Sequence, residues 1–209
     1  KLAPRLNAAG RMGHARLAVD LLTHADETRA REIAAYLEEQ NRCRQVIERK
    51  ISRQAFELID AQGWSSDHRR AIVVAGEDWH AGVIGLVASR IVGRCHKPAV
   101  VIALENGTGQ GSGRSVGRFD LHQALAACAG HLKTYGGHSM AAGLRIDTSR
   151  VADFTDAFVA HANQALTAAD LRPKLHLDGE VALGDLDLQT TAAIAGLGPF
   201  GPGNPQPLL

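Results

Sequence analysis

The sequence predicts an α/β protein with a sheet of about four or five strands. Two short branched apolar runs, Ala71–Ala75 (AIVVA) and Pro98–Leu104 (PAVVIAL), have the composition of buried strands. Between them, residues 83, 84, 87, 88, 91 and 95 are apolar at helical spacing. Strand, helix and strand at this separation suit a right-handed parallel crossover. The third observation is the stretch from Asp26 to about Asp60, which contains neither Gly nor Pro and spaces Ala30, Ile33, Leu37, Ile47, Ile51 and Leu58 like one face of a single long helix.

Taken in order, residues 1–14 (KLAPRLNAAGRMGH) hold a proline, two glycines and three basic residues, so a loop is expected, followed by a helix over Ala15–Thr23. The stripe of the long helix breaks at Gln40, Asn41 and Arg44, which predicts a middle facing water or a ligand. Residues 61–70 read as a turn and charged loop. After the crossover come a glycine-dense strand or loop over Thr108–Val116, a helix presenting Leu121, Leu125, Cys128 and Leu132, and a loop over Tyr135–His138. A strand over Ala141–Ile146 and a helix over Val151–Leu166, N-capped by Asp147, Thr148 or Ser149, complete the domain. From Leu171 the composition changes: LHLDGEVAL alternates, GDLDLQTTAAIAGL resembles a short helix, and GPFGPGNPQPLL is all turn. The tail is expected to begin a different domain.

The 209 residues carry 23 Lys and Arg against 22 Asp and Glu, a net charge of +1, so bulk charge names no partner and any nucleic-acid site must be a local patch. At 45% apolar the chain is not a disordered one. Cys43, Cys95 and Cys128 are widely spaced with no CxxC, which argues against a disulfide framework or zinc ribbon and for a reducing compartment. No run approaches the ~18 apolar residues of a membrane span and no signal peptide opens the chain, so a soluble, cytoplasmic protein without a membrane partner is expected. The first residue is Lys1, and the chain ends on Leu209 just after a Gly/Pro cluster; an excerpt of a longer protein is expected.

Three segments have the composition of phosphate chemistry. In GQGSGRS, Gly109–Ser115, small residues gather backbone N–H groups and Arg114 adds a planar bidentate donor; a tight hairpin with an exposed arginine is the competing reading. It is neither a Walker loop nor a dinucleotide-binding turn. In GGHSMAAG, Gly136–Gly143, His138 follows two glycines and has the ionisation range for phosphate donation or acid/base work, although a lone histidine in a glycine turn is more often structural. In LAPRLNAAGRMG, Leu2–Gly13, Arg5, Asn7 and Arg11 are phosphate-type donors among small residues, or helix-capping and ion-pairing residues. The remaining histidines lack metal-ligand spacing, so no metal site can be assembled.

In this order, PRLNAAGRMGHA, NRCRQVIE, WHAGVIGLVASRI, GSGRS, FDL, GGHSMAAG and GPFGPGNPQP resemble the RecJ family of bacterial single-strand-specific 5′→3′ DNA exonucleases, within the DHH/DHHA1 phosphoesterases. GGHxxAAG alone marks the wider DHHA1 module; the NAAGR loop and the PFGxGNPxP tail point to RecJ. The resemblance implies a DHHA1-type mixed sheet of about five strands, with residues 1–25 ending a DHH domain and its lead-in loop, 26–60 a connecting helix, 61–166 the DHHA1 domain and 167–209 the start of an incomplete OB-fold.

It further implies an intact enzyme that uses two Mn²⁺ or Mg²⁺ ions held by an Asp-His-His motif absent from this sequence, acting in DNA recombination and repair. This chain would then grip single-stranded DNA without cleaving it. Arg11, Ser112 and Arg114 would contact the 5′ end or its first phosphates, and Gly136, Gly137 and His138 would face the scissile phosphate. Arg5, Asn7 and Ser115 belong to the same matching segments. Gln45, with the polar break of the long helix, is expected to line the cleft. Few aromatic residues are present, so phosphate contacts should outweigh base stacking. A single-strand-binding protein and a helicase enter as candidate partners. Two other classes stay open: a DHH/DHHA1 oligoribonuclease or cyclic-dinucleotide phosphodiesterase, which the additional tail disfavours, and a non-catalytic nucleic-acid-binding protein.

Overall fold

The computed structural model describes residues 2–209, which divide into two compact units, one reaching Arg172 and the other Pro173–Leu209. The first holds a five-stranded sheet of order β1-β2-β3-β5-β4, with β1 Ile72–Glu77, β2 Ala99–Glu105, β3 Thr108–Arg114, β4 Thr134–His138 and β5 Ala141–Asp147. Its helices are α1 Ala3–Arg11, α2 Ala15–Thr23, α3 Glu27–Ala61, α4 Ile84–Cys95, α5 Leu121–Ala127 and α6 Val151–Ala165. Only β1 and β2 are parallel, and α4 supplies the crossover that such a pair needs.

Successive residues of β2 feed two cores. Val100 and Ile102 pack with Leu121, Leu125, Phe154 and Phe158 on one face, while Ala99, Val101 and Ala103 meet Ile51, Ala55 and Ile59 of α3 and Ile84, Val87 and Ile91 of α4 on the other. A strand covered on both faces needs no polar side, which is why PAVVIAL reads as a continuous apolar run.

β3 follows β2 through a two-residue turn, Asn106 and Gly107, both with positive φ (48° and 77°), the geometry that matches strand twist in tight hairpins. Its inner face is glycine only. A Cβ on Gly109 would stand 2.8 Å from Ile102 Cγ2, on Gly111 2.7 Å from Leu144 Cδ1, and on Gly113 2.8 Å from Leu121 Cδ2. Large aliphatic side chains from the neighbouring elements occupy the volume these glycines vacate. The glycines of GQGSGRS therefore serve packing on a paired strand rather than a phosphate cradle, and the hairpin reading holds for them. By strand alternation Thr108, Gln110, Ser112 and Arg114 point to the opposite, outer face.

The long helix α3 is N-capped by Asp26, whose carboxylate accepts the Arg29 amide at 2.8 Å. Ile33 and Leu37 pack with Leu6, Ala9, Leu17 and Leu21 of α1 and α2, and Ile51, Ala55 and Ile59 pack on the sheet side. Leu58, expected in the stripe, is exposed, and Ala55 and Ile59 take its place. The polar break between these two cores is not a surface toward water or ligand. Glu48, only 6% exposed, accepts from Arg44 on its own helix and from Arg90 Nε on α4 at 2.6 Å, and Asn41 Oδ1 accepts from Arg44 at 3.1 Å. An ion cluster, buried at Glu48 and half-exposed at Arg90, joins α3 to α4 there.

Three local expectations change. Residues 1–14 are not a loop: Pro4 sits in the first turn of α1, where its missing N–H costs nothing, Ala8 and Ala9 are buried, and Gly13 (φ 99°) provides the break. Tyr135–His138 is not a loop but part of the edge strand β4, paired to β5 despite its glycines. None of Asp147, Thr148 and Ser149 caps α6; a 3₁₀ turn over Thr148–Arg150 leads into it, with Arg150 at the N-cap. The three cysteines are free thiols.

In the second unit the alternating segment near Leu175–Val181 forms no strand; the Asp178 amide donates to the Leu208 carbonyl at 2.8 Å without a ladder building on either side. Helix α7, Leu188–Ala195, is capped by Asp187, and Asn204 Nδ2 ties the following turn to the Leu197 and Pro199 carbonyls.

The interlocking of β3 and β5 has a measurable signature. Gly111→Ala is expected to cost about 1–3 kcal/mol through overpacking against Leu144, and denaturant unfolding should show Gly111→Ala/Leu144→Ala losing at least ~1 kcal/mol less than the sum of its singles. Strict additivity would rule out the steric coupling.

Candidate functional site

The outer face of β3 meets the start of α4. The first turn of that helix comes down on Ser112 and Arg114 so closely that a Cβ on Gly85 would lie 3.0 Å from both Arg114 Nη2 and Ser112 Oγ. Arg114 Nη1 donates to Ser112 Oγ at 3.2 Å and to the Gly113 carbonyl at 2.7 Å, which fixes its orientation. From the other side Arg11, the last residue of α1, donates from Nη1 to the Gly82 carbonyl at 3.3 Å. Gly82 admits this approach, since a Cβ there would stand 2.1 Å from the Arg11 carbonyl oxygen. The turn into α4 is held by His80: its Nδ1 accepts the Gly82 amide at 3.1 Å, and its carbonyl accepts the amides of Val83 and Ile84.

Electrostatically the site is one-signed. Burial first, and then the charge of Arg11, pull the Arg114 guanidinium below the ordinary arginine value, as expected for partly desolvated like charges. Neither arginine has a carboxylate partner among the described residues, and the Gly85 amide has no acceptor there. The start of a twelve-residue helix adds its own partial positive charge. Two guanidiniums, a hydroxyl and an open helix amide are the donor types that phosphate or carboxylate accepts from.

The same face continues across β5 and β4. Register aligns Arg114, Ala141 and His138 in one row, Ser112, Gly143 and Gly136 in the next, and Gln110, Arg145 and Thr134 in the third. Beyond Ser112 the surface is bare peptide at Gly143 and Gly136. The two glycines of GGH differ: Gly137 has φ 137° and a Cβ on it would lie 2.5 Å from the Ala141 carbonyl oxygen, whereas a Cβ on Gly136 would meet nothing within 4 Å. His138 is exposed two strands from Arg114, about 10 Å away. Its Nδ1 accepts the Met140 amide at 3.3 Å, which leaves Nε2–H of the neutral ring as an outward donor.

Arg11, Ser112 and Arg114 are thus brought together, with Gly136 and His138 on the adjoining floor. Asn7 is exposed beside Arg11, lining a hollow of about 330 Å³ on α1 and α2. Other predicted residues are committed elsewhere. Arg5 pairs with Glu38 of α3, and that hydrogen bond holds the Glu38 carboxyl below the usual carboxylate range. Ser115 is buried, its hydroxyl donating to the Phe119 carbonyl and its amide to the Met140 carbonyl. Gln45 is exposed on α3, outside the cluster formed by Asn41, Arg44 and Glu48. Gly82 and Gly85, which let Arg11 and Arg114 reach the helix start, were absent from the sequence-derived set; the signal was available in HAGVIG, two glycines bracketing the start of an apolar helix.

A family model described as the DHHA1 domain matches residues 68–168. That segment is similar to a DHHA1 domain. It contains the whole sheet, Ser112, Arg114 and the GGH residues, while α1 and α3 precede it. Over 209 residues the chain is 38% identical to the single-stranded-DNA-specific exonuclease RecJ of Bacillus subtilis, covering 99% of this chain and 26% of the relative. It is 35% identical over 212 residues to RecJ of Dickeya dadantii, covering 37% of it. Among solved structures, RecJ of Thermus thermophilus in complex with Mg²⁺ superposes with a TM-score of 0.86 at 31% identity, over 99% of this chain and 31% of that one. The chain spans about a quarter to a third of the length of the curated relatives it matches.

The two glycines of the DHHA1 edge strand should separate in stability measurements. Gly136→Ala is expected to leave the melting temperature unchanged or raise it, by up to ~1 kcal/mol in stability, and Gly137→Ala to lower it through its left-handed backbone and the blocked Cβ position. Equal losses would contradict the open position at Gly136.

Proposed function

We propose that this chain is the substrate-holding part of a RecJ-type nuclease, in which Arg11, Arg114, Ser112 and the Gly85 amide grip the 5′-terminal phosphate of single-stranded DNA. The observation that carries the reading is the pair of adjacent guanidiniums without a carboxylate at the start of α4. A terminal phosphate monoester carries more charge than an internal diester, so it gains most from two arginines. Packing Ser112 and Arg114 under the helix start leaves the guanidinium fork oriented before the ligand arrives, which lowers the cost of ordering it.

From that anchor the strand would cross the bare peptide of Gly143 and Gly136 toward His138, whose Nε2–H is placed to donate to the next phosphodiester. This supplies positioning rather than bond cleavage. Solved RecJ structures hold Mg²⁺ or Mn²⁺. Among the described residues no three His, Cys, Asp or Glu side chains stand together in a way that fits a metal ion, so hydrolysis through two metals belongs, in this reading, to parts of the longer enzyme outside this chain. Among the described residues, no helix is long and apolar enough to cross a membrane.

The test is equilibrium binding of the 209-residue chain to a short single-stranded DNA bearing a 5′-phosphate or a 5′-hydroxyl, at two salt concentrations. The phosphorylated strand should bind at least ~10-fold tighter, in keeping with ~1.5–3 kcal/mol for a hydrogen bond to a charged group, and lose affinity with salt by about −0.7 in log K per log salt for each phosphate neutralised. Arg114→Ala or Arg11→Ala should remove the difference between the two strands. Equal binding of both strands by the unaltered chain would overturn 5′-phosphate recognition here, and a matching RNA strand tells DNA preference from general single-strand binding.

A further inference from the structure

The outer face of the sheet does not end at Ser112. Two residues back along β3, Gln110 shares that face at a separation of about 7 Å. Register places Arg145 of β5 beside Gln110. Both border a cleft of about 630 Å³ that reaches Trp79, His80, Leu104 and Lys133. This volume lies within the range of sites that accept one small ligand. Arg145 is exposed and has no side-chain hydrogen bond or ion pair among the described residues, whereas Lys133 is paired with Asp147.

The charge of the cleft differs from that of the neighbouring anion site. Asp78 and Glu105 also border it, so positive and negative groups nearly balance. A second phosphate would meet those carboxylates unfavourably. A nucleobase, flat, neutral and edged with both donors and acceptors, suits a lining that offers Arg145 as donor, Gln110 as donor and acceptor, and the aliphatic surface of Ala103 and Leu104. The approach to it is flat. Gly143 and Gly136 form the row between the anion site and the cleft, and neither is forced by the fold: a Cβ on Gly143 would meet only the Gly111 carbonyl oxygen, at an ordinary 3.7 Å, and one on Gly136 nothing. Glycine weakens a strand interior, and one that packing does not require often marks the close approach of another molecule.

We propose that this cleft receives the base of the 5′-terminal nucleotide, with Arg145 and Gln110 contacting its edge and the Gly143–Gly136 peptide surface lying beneath its sugar. The inference rests on the 5′-phosphate reading above and adds a subsite to it. The span from Ser112 to Gln110 is one that a deoxyribose bridges between its phosphate and its base.

The test uses the 209-residue chain and two 5′-phosphorylated trinucleotides that differ only at the first residue, thymidine in one and an abasic deoxyribose in the other. The base-bearing probe should bind about 10-fold tighter. Arg145→Ala should bring it down to the abasic level while leaving the abasic affinity unchanged, and Arg114→Ala should weaken both probes. Equal affinity of the two probes, or an Arg145→Ala variant that weakens both alike, overturns the base subsite while the phosphate site stands. If Arg114→Ala changes neither affinity, the 5′-phosphate reading itself fails, and the subsite falls with it.

Discussion

The fold depends on a row of missing side chains. Along the inner face of β3, Gly109, Gly111 and Gly113 leave room for Ile102, Ile146, Leu144 and Leu121, which fill it to contact distance. Because a strand alternates strictly, committing one face to core fixes the other as the outer face and sets the register in which its side chains stand. A slip by one residue would drive Ser112 into Leu144 and Arg114 into Leu121 and bring a glycine outward. The packing of the hydrophobic core thus determines where the polar site lies, and the site inherits the rigidity of the sheet rather than the freedom of a loop.

Charge arrangement at that site runs against folding stability. Two guanidiniums interact, one of them partly desolvated, at the positive end of a helix, with no carboxylate among the described residues to relieve them. Elsewhere several charges are paired: the buried Glu48 lies between Arg44 and Arg90, and the half-buried Arg5 is matched by Glu38. Arg44, Arg90 and Arg5 have an acid within reach, whereas Arg11 and Arg114 have a hydroxyl, two carbonyls and an open amide.

Much of the architecture was legible because it rests on periodicity. The apolar runs of β1 and β2, the stripe of α4 and the uninterrupted α3 follow directly from spacing. The errors share a physical origin, namely that small and polar residues carry no sign of which neighbour they serve. α1 was obscured because Pro4 and Gly10 resemble loop residues, although a proline in a first turn is compatible with a helix. β4 was obscured because an edge strand with two glycines has little side-chain pattern. In α3, Asn41, Arg44 and Glu48 imitate an exposed face, and only Arg90, 42 residues further on from Glu48, reveals a buried cluster. The candidate site was half visible. Arg11, Ser112 and Arg114 were picked by chemistry and resemblance, but the glycines of β3 drew the eye to the wrong cause, and Gly82 and Gly85 explain themselves only once α1 and α4 are seen to converge.

The alternation within β3 also bears on how such a surface changes over generations. Each inner position tolerates only glycine at its present neighbours' sizes, so those sites are frozen together with Leu144 and Leu121. The outer positions Thr108 and Gln110 are exposed and can be replaced without repacking that core, whereas Ser112 and Arg114 stand against the start of α4. Substitution can therefore change the outer face at such positions while the scaffold beneath stays constant, and under the proposed base subsite variation at Gln110 and its register partner Arg145 would alter ligand choice at almost no cost in folding.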